Sequence, residues 1–247
     1  MQKEFNTTGL CNPQRHYMVD ISDKLKKIIT LIEKEKYFTI NRARQYGKTT
    51  MIFHLENILK EKYVVISISF EGMGCEEFSK VNNFSKELIK KIGFELERSS
   101  ENEDLIKEWG QFNEDINFSE LERKINTLCK NASKEIILMI DEVDKSSDNQ
   151  LFLSFLGMLR NMYLLRDRGT QTFKSVILAG VYDVKNLKLK LRPDEERKYN
   201  SPWNIAVKFN LDMSFNEEEI MTMLDSYEEE IHTGMDKEMV AREIYNY

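Results

Sequence analysis

Apolar positions along this chain switch between two spacings, and the switches mark its elements. In residues 22 to 35, Leu25, Ile28, Ile29 and Ile32 fall on one helical face behind the cap candidates Asp20 and Ser22. Tyr37 to Ile40 follow as a short β-prone run, then the polar stretch RARQYGKTT, then Met51, Ile52, Leu55, Ile58 and Leu59 at helical period. The order strand, loop, helix is therefore predicted for residues 37 to 59. Tyr63 to Phe70 is a second strand, β-branched and alternating with serine towards its end. Two charged helices are expected at 83 to 98 and 119 to 130, with the polar stretch SSENEDLIKEWG between them read as a surface excursion.

Ile136 to Ile140 is a continuous apolar run that ends in Asp141 and Glu142, as expected of a parallel strand buried on both faces. A helical stripe follows, made of Phe152, Phe155, Leu156, Leu159, Met162 and Tyr163, and then a buried strand from Val176 to Gly180. A last strand is expected at Ala206 to Phe209. Asn216 and Glu219 form a capping-box variant that opens a helix with Ile220, Leu224, Tyr227 and Ile231 inward, and a further helix is expected from about Asp236. Alternating strands and helices predict an α/β fold of three layers, a mostly parallel sheet with its ligand crevice at the carboxyl ends of the strands. The expected division is a core over residues 1–211 and a partial helical lid over 212–247, with the chain stopping inside a longer lid.

Composition narrows the function. At 247 residues and 41% hydrophobic content, the chain carries one α/β core with a small helical appendage. A net charge of -6 supplies no overall positive field, so neither nucleic acid nor an anionic membrane is supported as a partner. Cys11, Cys75 and Cys129 are isolated and odd in number, which argues against a disulfide framework or a zinc cluster and fits a reducing cytoplasm. His16, His54 and His232 lack ligand-pair spacing and are read as structural or solvated. No apolar run approaches the roughly 20 residues of a membrane span, and the start of the sequence lacks a signal-peptide core.

Two polar motifs sit at strand ends. Gly47-Lys48-Thr49 lies between a β run and an amphipathic helix, where a phosphate loop needs a glycine, a lysine for the β/γ charge and a hydroxyl for Mg²⁺. Arg44, Gln45, Tyr46 and Thr50 complete the candidate loop. The first glycine of GxxxxGK[ST] is replaced by Arg42; Arg42 and Arg44 face either phosphate or solvent and a partner. The second motif, IILMIDEVD, offers Asp141 to hold Mg²⁺ and Glu142 as the base that polarises a water. Lys48 and Glu142 are thus the catalytic candidates, and Thr49 and Asp141 the metal candidates.

NRARQYGKTT preceded by HYMVD, with IDEVDK, SVILAGVYDVKNLK and SPWNIA downstream, resembles the bacterial AAA-ATPase-like P-loop family over nearly the whole chain. That resemblance implies the additional-strand catalytic-Glu class of ATPases, with Lys48, Thr49, Asp141 and Glu142 in the roles already given. It also implies that Tyr17, Met18 and Val19 border the adenine, against the alternative that they pack under the N-terminal helix. Tyr182 or Asp183 would serve as a polar sensor. Arg192 and Arg197 are arginine-finger candidates in a stretch otherwise read as a solvated loop. The expected function is Mg-dependent ATP hydrolysis to ADP that drives a conformational change, with a protein partner or a second copy as further candidates. The alternative is a non-hydrolysing nucleotide-dependent interaction switch. A GTPase is disfavoured because no NKxD-type guanine motif occurs, and nothing marks an acceptor site for a small-molecule kinase.

Overall fold

The β-branched and apolar runs form four strands: β1 (Phe38–Asn41), β2 (Val64–Ser69), β3 (Ile136–Asp141) and β4 (Ser175–Gly180). A computed structural model describes residues 2–7, 9–41, 47–99, 101–143, 150–180, 205 and 214–247. All pairings between these strands are parallel, in the order β1-β4-β3-β2. β4 is thereby inserted between β1 and β3, which carry the two polar motifs at their carboxyl ends.

Alternation along each central strand builds three layers, because successive side chains leave opposite faces of a sheet. Ile137, Met139, Ile177 and Ala179 face one core with Ile28 and Ile32 of α1 (Ser22–Glu33) and Met51 and Leu55 of α2 (Lys48–Leu59). Leu138, Ile140, Val176 and Leu178 face the other. That core is filled by α3 (Val81–Arg98), α4 (Glu103–Gly110), α5 (Phe118–Asn131) and α6 (Gln150–Leu164), with Phe84, Phe152 and Phe155 among its fully buried rings. The sheet is covered on both faces, as the unbroken apolar runs of β3 and β4 require.

Three expectations change. SSENEDLIKEWG is not a surface excursion throughout: it contains α4, capped by the Asn102 side chain, with Leu105 and Trp109 buried against α3. Its eight polar residues before Trp109 hid a short amphipathic stripe. Trp109 Nε1 donates to the Ile89 carbonyl at 2.9 Å. Trp109→Phe is expected to cost about 1–2 kcal/mol by orphaning that buried contact, read as a lower midpoint at unchanged slope in urea unfolding. Ile58 is 46% exposed, so only Met51, Ile52, Leu55 and Leu59 form the inner face of α2. α1 has Ile21 at its N-cap, and Asp20 contributes by accepting the Ser22 N–H at 2.8 Å. The strand expected at 206–209 lies outside the described residues.

The capping box of Asn216 and Glu219 is present and opens α7 (Glu217–Ile231), followed by α8 (Lys237–Asn246) with Asp236 as its N-cap. Ile220 and Leu224 pack with Ala241 in a small cluster of their own, whereas Tyr227 and Ile231 are only half-buried. α7 docks on the core through polar contacts. Lys24 Nζ reaches Glu219 Oε2 at 2.5 Å and the Ser214 carbonyl at 2.8 Å, and the Asp20 N–H donates to Thr222 Oγ1 at 2.9 Å.

Candidate functional site

β1 delivers the chain to the carboxyl edge of the sheet at Asn41, and α2 begins at Lys48. Between them Gly47 adopts φ +71°, the left-handed region that an L side chain enters only with strain. Among the described residues, chain neighbours aside, no atom lies within 4 Å of where a β-carbon on Gly47 would stand. The first bonded amide of α2 is that of Met51, which donates to the Gly47 carbonyl at 2.9 Å. The amides of Lys48, Thr49 and Thr50 belong to the first turn, where an α-helix offers no carbonyl partner. No acidic residue in that turn competes for its positive end.

Lys48 is 6% exposed, and its Nζ is buried with no hydrogen-bond partner. An ammonium withdrawn from water without a counter-ion is costly, and an anion brought to it would remove that cost. Beside it, Thr49 Oγ1 donates to Asp141 Oδ2 at 3.1 Å. The α2 start and the β3 end therefore meet although β4 separates β1 from β3. Asp141 is 8% exposed, and its other oxygen accepts the Glu142 N–H at 2.8 Å. Glu142 itself has φ +56°, so its side chain leaves the strand end in a direction that extended backbone would not give. A carboxylate held from both sides and a hydroxyl make a hard-oxygen donor set that suits Mg²⁺, which retains water and phosphate oxygens as its other ligands. Among the described residues no cluster of three His, Cys, Asp or Glu side chains offers a metal site made by protein alone.

The remaining candidates separate. Thr50 Oγ1 accepts the Cys11 N–H at 3.2 Å, so this hydroxyl ties the N-terminal segment to α2. Tyr17 is buried and donates to Glu230 Oε2 at 2.8 Å, with its ring 5.0 Å from that of Phe5 and 5.2 Å from that of Tyr227. Burial first, and then Glu230, pushes its phenol up to about 12. Tyr17 thus packs under α7 and does not line the cleft beside it. Met18 and Val19 do line that cleft, a cavity of about 330 Å³ closed by Leu25, His54, Thr222 and Ser226. His54 and Thr222 escaped the sequence reading. The available signal was the four-residue step from Thr50 to His54, which puts both on one face of α2. Arg42, Arg44, Gln45, Tyr46, Tyr182, Asp183, Arg192 and Arg197 lie outside the described residues.

Comparison with known proteins bears on the fold and the family. No curated protein sequence matches the chain. Fifteen solved chains match it; among them is the Walker-type ATPase of Pyrococcus abyssi, at a TM-score of 0.60 and 15% identity. The match covers 97% of this chain and 65% of that one, so the present chain spans just under two thirds of its length. At that identity the likeness is one of fold. A sequence profile described as AAA-like domain matches residues 15–242, across both polar motifs and α7 and into α8. The chain belongs to the AAA-like domain family.

Proposed function

We propose that the chain binds ATP with Mg²⁺ at the carboxyl ends of β1 and β3 and hydrolyses it to ADP and phosphate, a cycle that shifts α7 and α8 against the core. The observation that carries this reading is the 3.1 Å contact between Thr49 and Asp141 next to the unpartnered, buried Lys48 ammonium. In this reading Gly47 and the amides of Lys48, Thr49 and Thr50 receive the phosphates, together with Arg44, Gln45 and Tyr46 of the preceding loop. Lys48 places its charge on the β/γ oxygens. Thr49 and Asp141 hold Mg²⁺, which when bound neutralises charge on phosphate oxygens. Glu142 accepts a proton from the attacking water as its oxygen bonds to the γ-phosphorus and the β–γ bridge breaks. Met18 and Val19 border the base, and Tyr17 supports them from behind.

The lid role rests on connectivity. The segment that meets α2 through Cys11 and Thr50 also carries Tyr17 and Asp20, the partners of Glu230 and Thr222 on α7. Residues 1–211 act as the ATPase core and 212–247 as the lid, with a protein partner or a second copy of the chain receiving the movement.

Calorimetric titration with ATP and ADP, with and without Mg²⁺, tests the reading. Wild-type protein is expected to bind ATP more tightly when Mg²⁺ is present, and Asp141→Asn to lose most of that dependence while retaining metal-free binding. An unaltered Mg²⁺ response in the variant would remove Asp141 from the metal site.

A further inference from the structure

The cleft beside Met18 and Val19 is walled by four separate elements: the N-terminal segment, Ser22 and Leu25 on α1, His54 on α2, and Thr222 and Ser226 on α7. Most of its polar groups with recorded contacts are already engaged. Thr222 Oγ1 accepts the Asp20 N–H and donates to the Glu219 carbonyl at 2.6 Å. His16 Nδ1 accepts the Asn12 N–H at 2.9 Å. His54 differs: its Nε2 is sealed from solvent and has no hydrogen-bond partner. A buried ring nitrogen without a partner is a cost to the empty protein that a ligand group can remove.

The position of His54 fits a nucleotide base rather than a phosphate. It lies six residues beyond Lys48, about 9 Å along the axis of α2, a separation that a ribose and base can bridge from a triphosphate held at the helix start. It also follows Thr50 by four residues, on the face along which the N-terminal segment runs from Cys11 to Val19. Burial holds its pKa below the ordinary histidine value, so at neutral pH the ring is uncharged and one of its nitrogens is an acceptor. The apolar sides of Met18, Val19 and Leu25 provide a surface for a purine plane.

We infer that His54 accepts a hydrogen bond from the exocyclic amino group of a 6-aminopurine in this cleft, after a rotation of its ring, and so sets a preference for ATP over 6-oxopurine triphosphates. The inference rests on the ATP reading above and adds the residue that reads the base. A keto oxygen at the same place is an acceptor and cannot donate to the ring.

The test compares Mg²⁺ complexes of ATP, ITP and inorganic tripolyphosphate by calorimetry on wild-type, His54→Leu and His54→Gln proteins. Wild-type protein is expected to favour ATP over ITP by roughly 10-fold, and His54→Leu to bring the two within about twofold, with tripolyphosphate affinity unchanged. His54→Gln, whose amide oxygen also accepts, is expected to keep part of the preference and covers the case in which the leucine variant fails to fold. A wild-type protein that binds ATP and ITP equally, or a leucine variant that retains the full preference, overturns the inference and leaves the ATP reading standing. Binding of neither ATP nor tripolyphosphate to the wild-type protein overturns both.

Discussion

Lys48→Met is expected to make the nucleotide-free protein more stable and at the same time to remove most or all of its stabilisation by Mg·ATP. The two effects have one cause. Among the described residues the buried Lys48 ammonium has no partner, and replacing a poorly compensated buried charge with an apolar side chain of similar length stabilises by about 1–3 kcal/mol. With nucleotide present, the same change removes the cation that faces the β/γ oxygens. Truncating one partner of a desolvated charge pair costs about 2–5 kcal/mol, which corresponds to a loss of ATP affinity of roughly 30-fold to several thousandfold. At saturating ligand, about 100 times the Kd, wild-type protein gains about 2.7 kcal/mol of stability, so its melting temperature rises on addition of Mg·ATP. The variant melts higher than wild type without ligand and, at the same ligand concentration, keeps at most about a third of the wild-type stabilisation. A surface lysine with no ligand role would change neither melt, and a lysine serving the core alone would change only the first. A variant that keeps the full ATP-induced shift contradicts the assignment.

Glu142→Gln is expected to reduce phosphate release by about 100-fold to 10,000-fold, the usual range for loss of a general base, while ATP affinity stays within a few-fold of wild type. The substitution keeps the shape of the side chain and removes only its capacity to take a proton from water. It also keeps the backbone requirement, since glutamine meets the same φ +56° that Glu142 meets, and the amide that holds Asp141 Oδ1 is unchanged. Binding and turnover therefore separate in this variant and fall together in Lys48→Met. Turnover at the wild-type rate in Glu142→Gln would exclude Glu142 as the base. A wild-type protein that binds ATP and releases no phosphate would favour the interaction switch over the ATPase.

The sheet was legible because its strands are buried on both faces. Ile136 to Ile140 and Val176 to Gly180 are uninterrupted apolar runs, and a parallel interior strand leaves few alternatives for such a run. The pairing order was not legible, because nothing in the residues of β4 distinguishes a place between β1 and β3 from a place at the edge. α4 was missed because a helix of eight residues buries only Leu105 and Trp109, too few points to display a period against a polar background. At the site, Gly47, Lys48, Thr49, Asp141 and Glu142 could be read as types at strand ends, since phosphate and metal chemistry restrict the choice of residue. The place of Tyr17 was not legible for the opposite reason: a tyrosine suits a base pocket and an aromatic cluster equally, and its partners Phe5, Tyr227 and Glu230 come from distant parts of the sequence. Long-range pairing also concealed His54, which acquires its setting only when α7 closes over the N-terminal segment.

In the proposed cycle, the polar contacts of α7 would couple it to the nucleotide site. Lys24, Glu219, Asp20, Thr222, Tyr17 and Glu230 hold α7 through hydrogen bonds and one buried ion pair. Such contacts depend on geometry more steeply than apolar packing does. A displacement of the N-terminal segment at α2 would therefore be passed to α7 as the making and breaking of discrete bonds, which is the behaviour expected of a two-position element.

The most direct test places an ion. Crystals grown with Mn²⁺ in place of Mg²⁺ and a non-hydrolysable ATP analogue allow the metal to be located by its anomalous scattering. One ion is expected, held by Thr49 Oγ1 and by phosphate oxygens, with Asp141 reaching it directly or through water and Lys48 Nζ against the same phosphates. An analogue bound elsewhere, or a triphosphate at the start of α2 whose metal lies away from Thr49 and Asp141, would contradict this expectation.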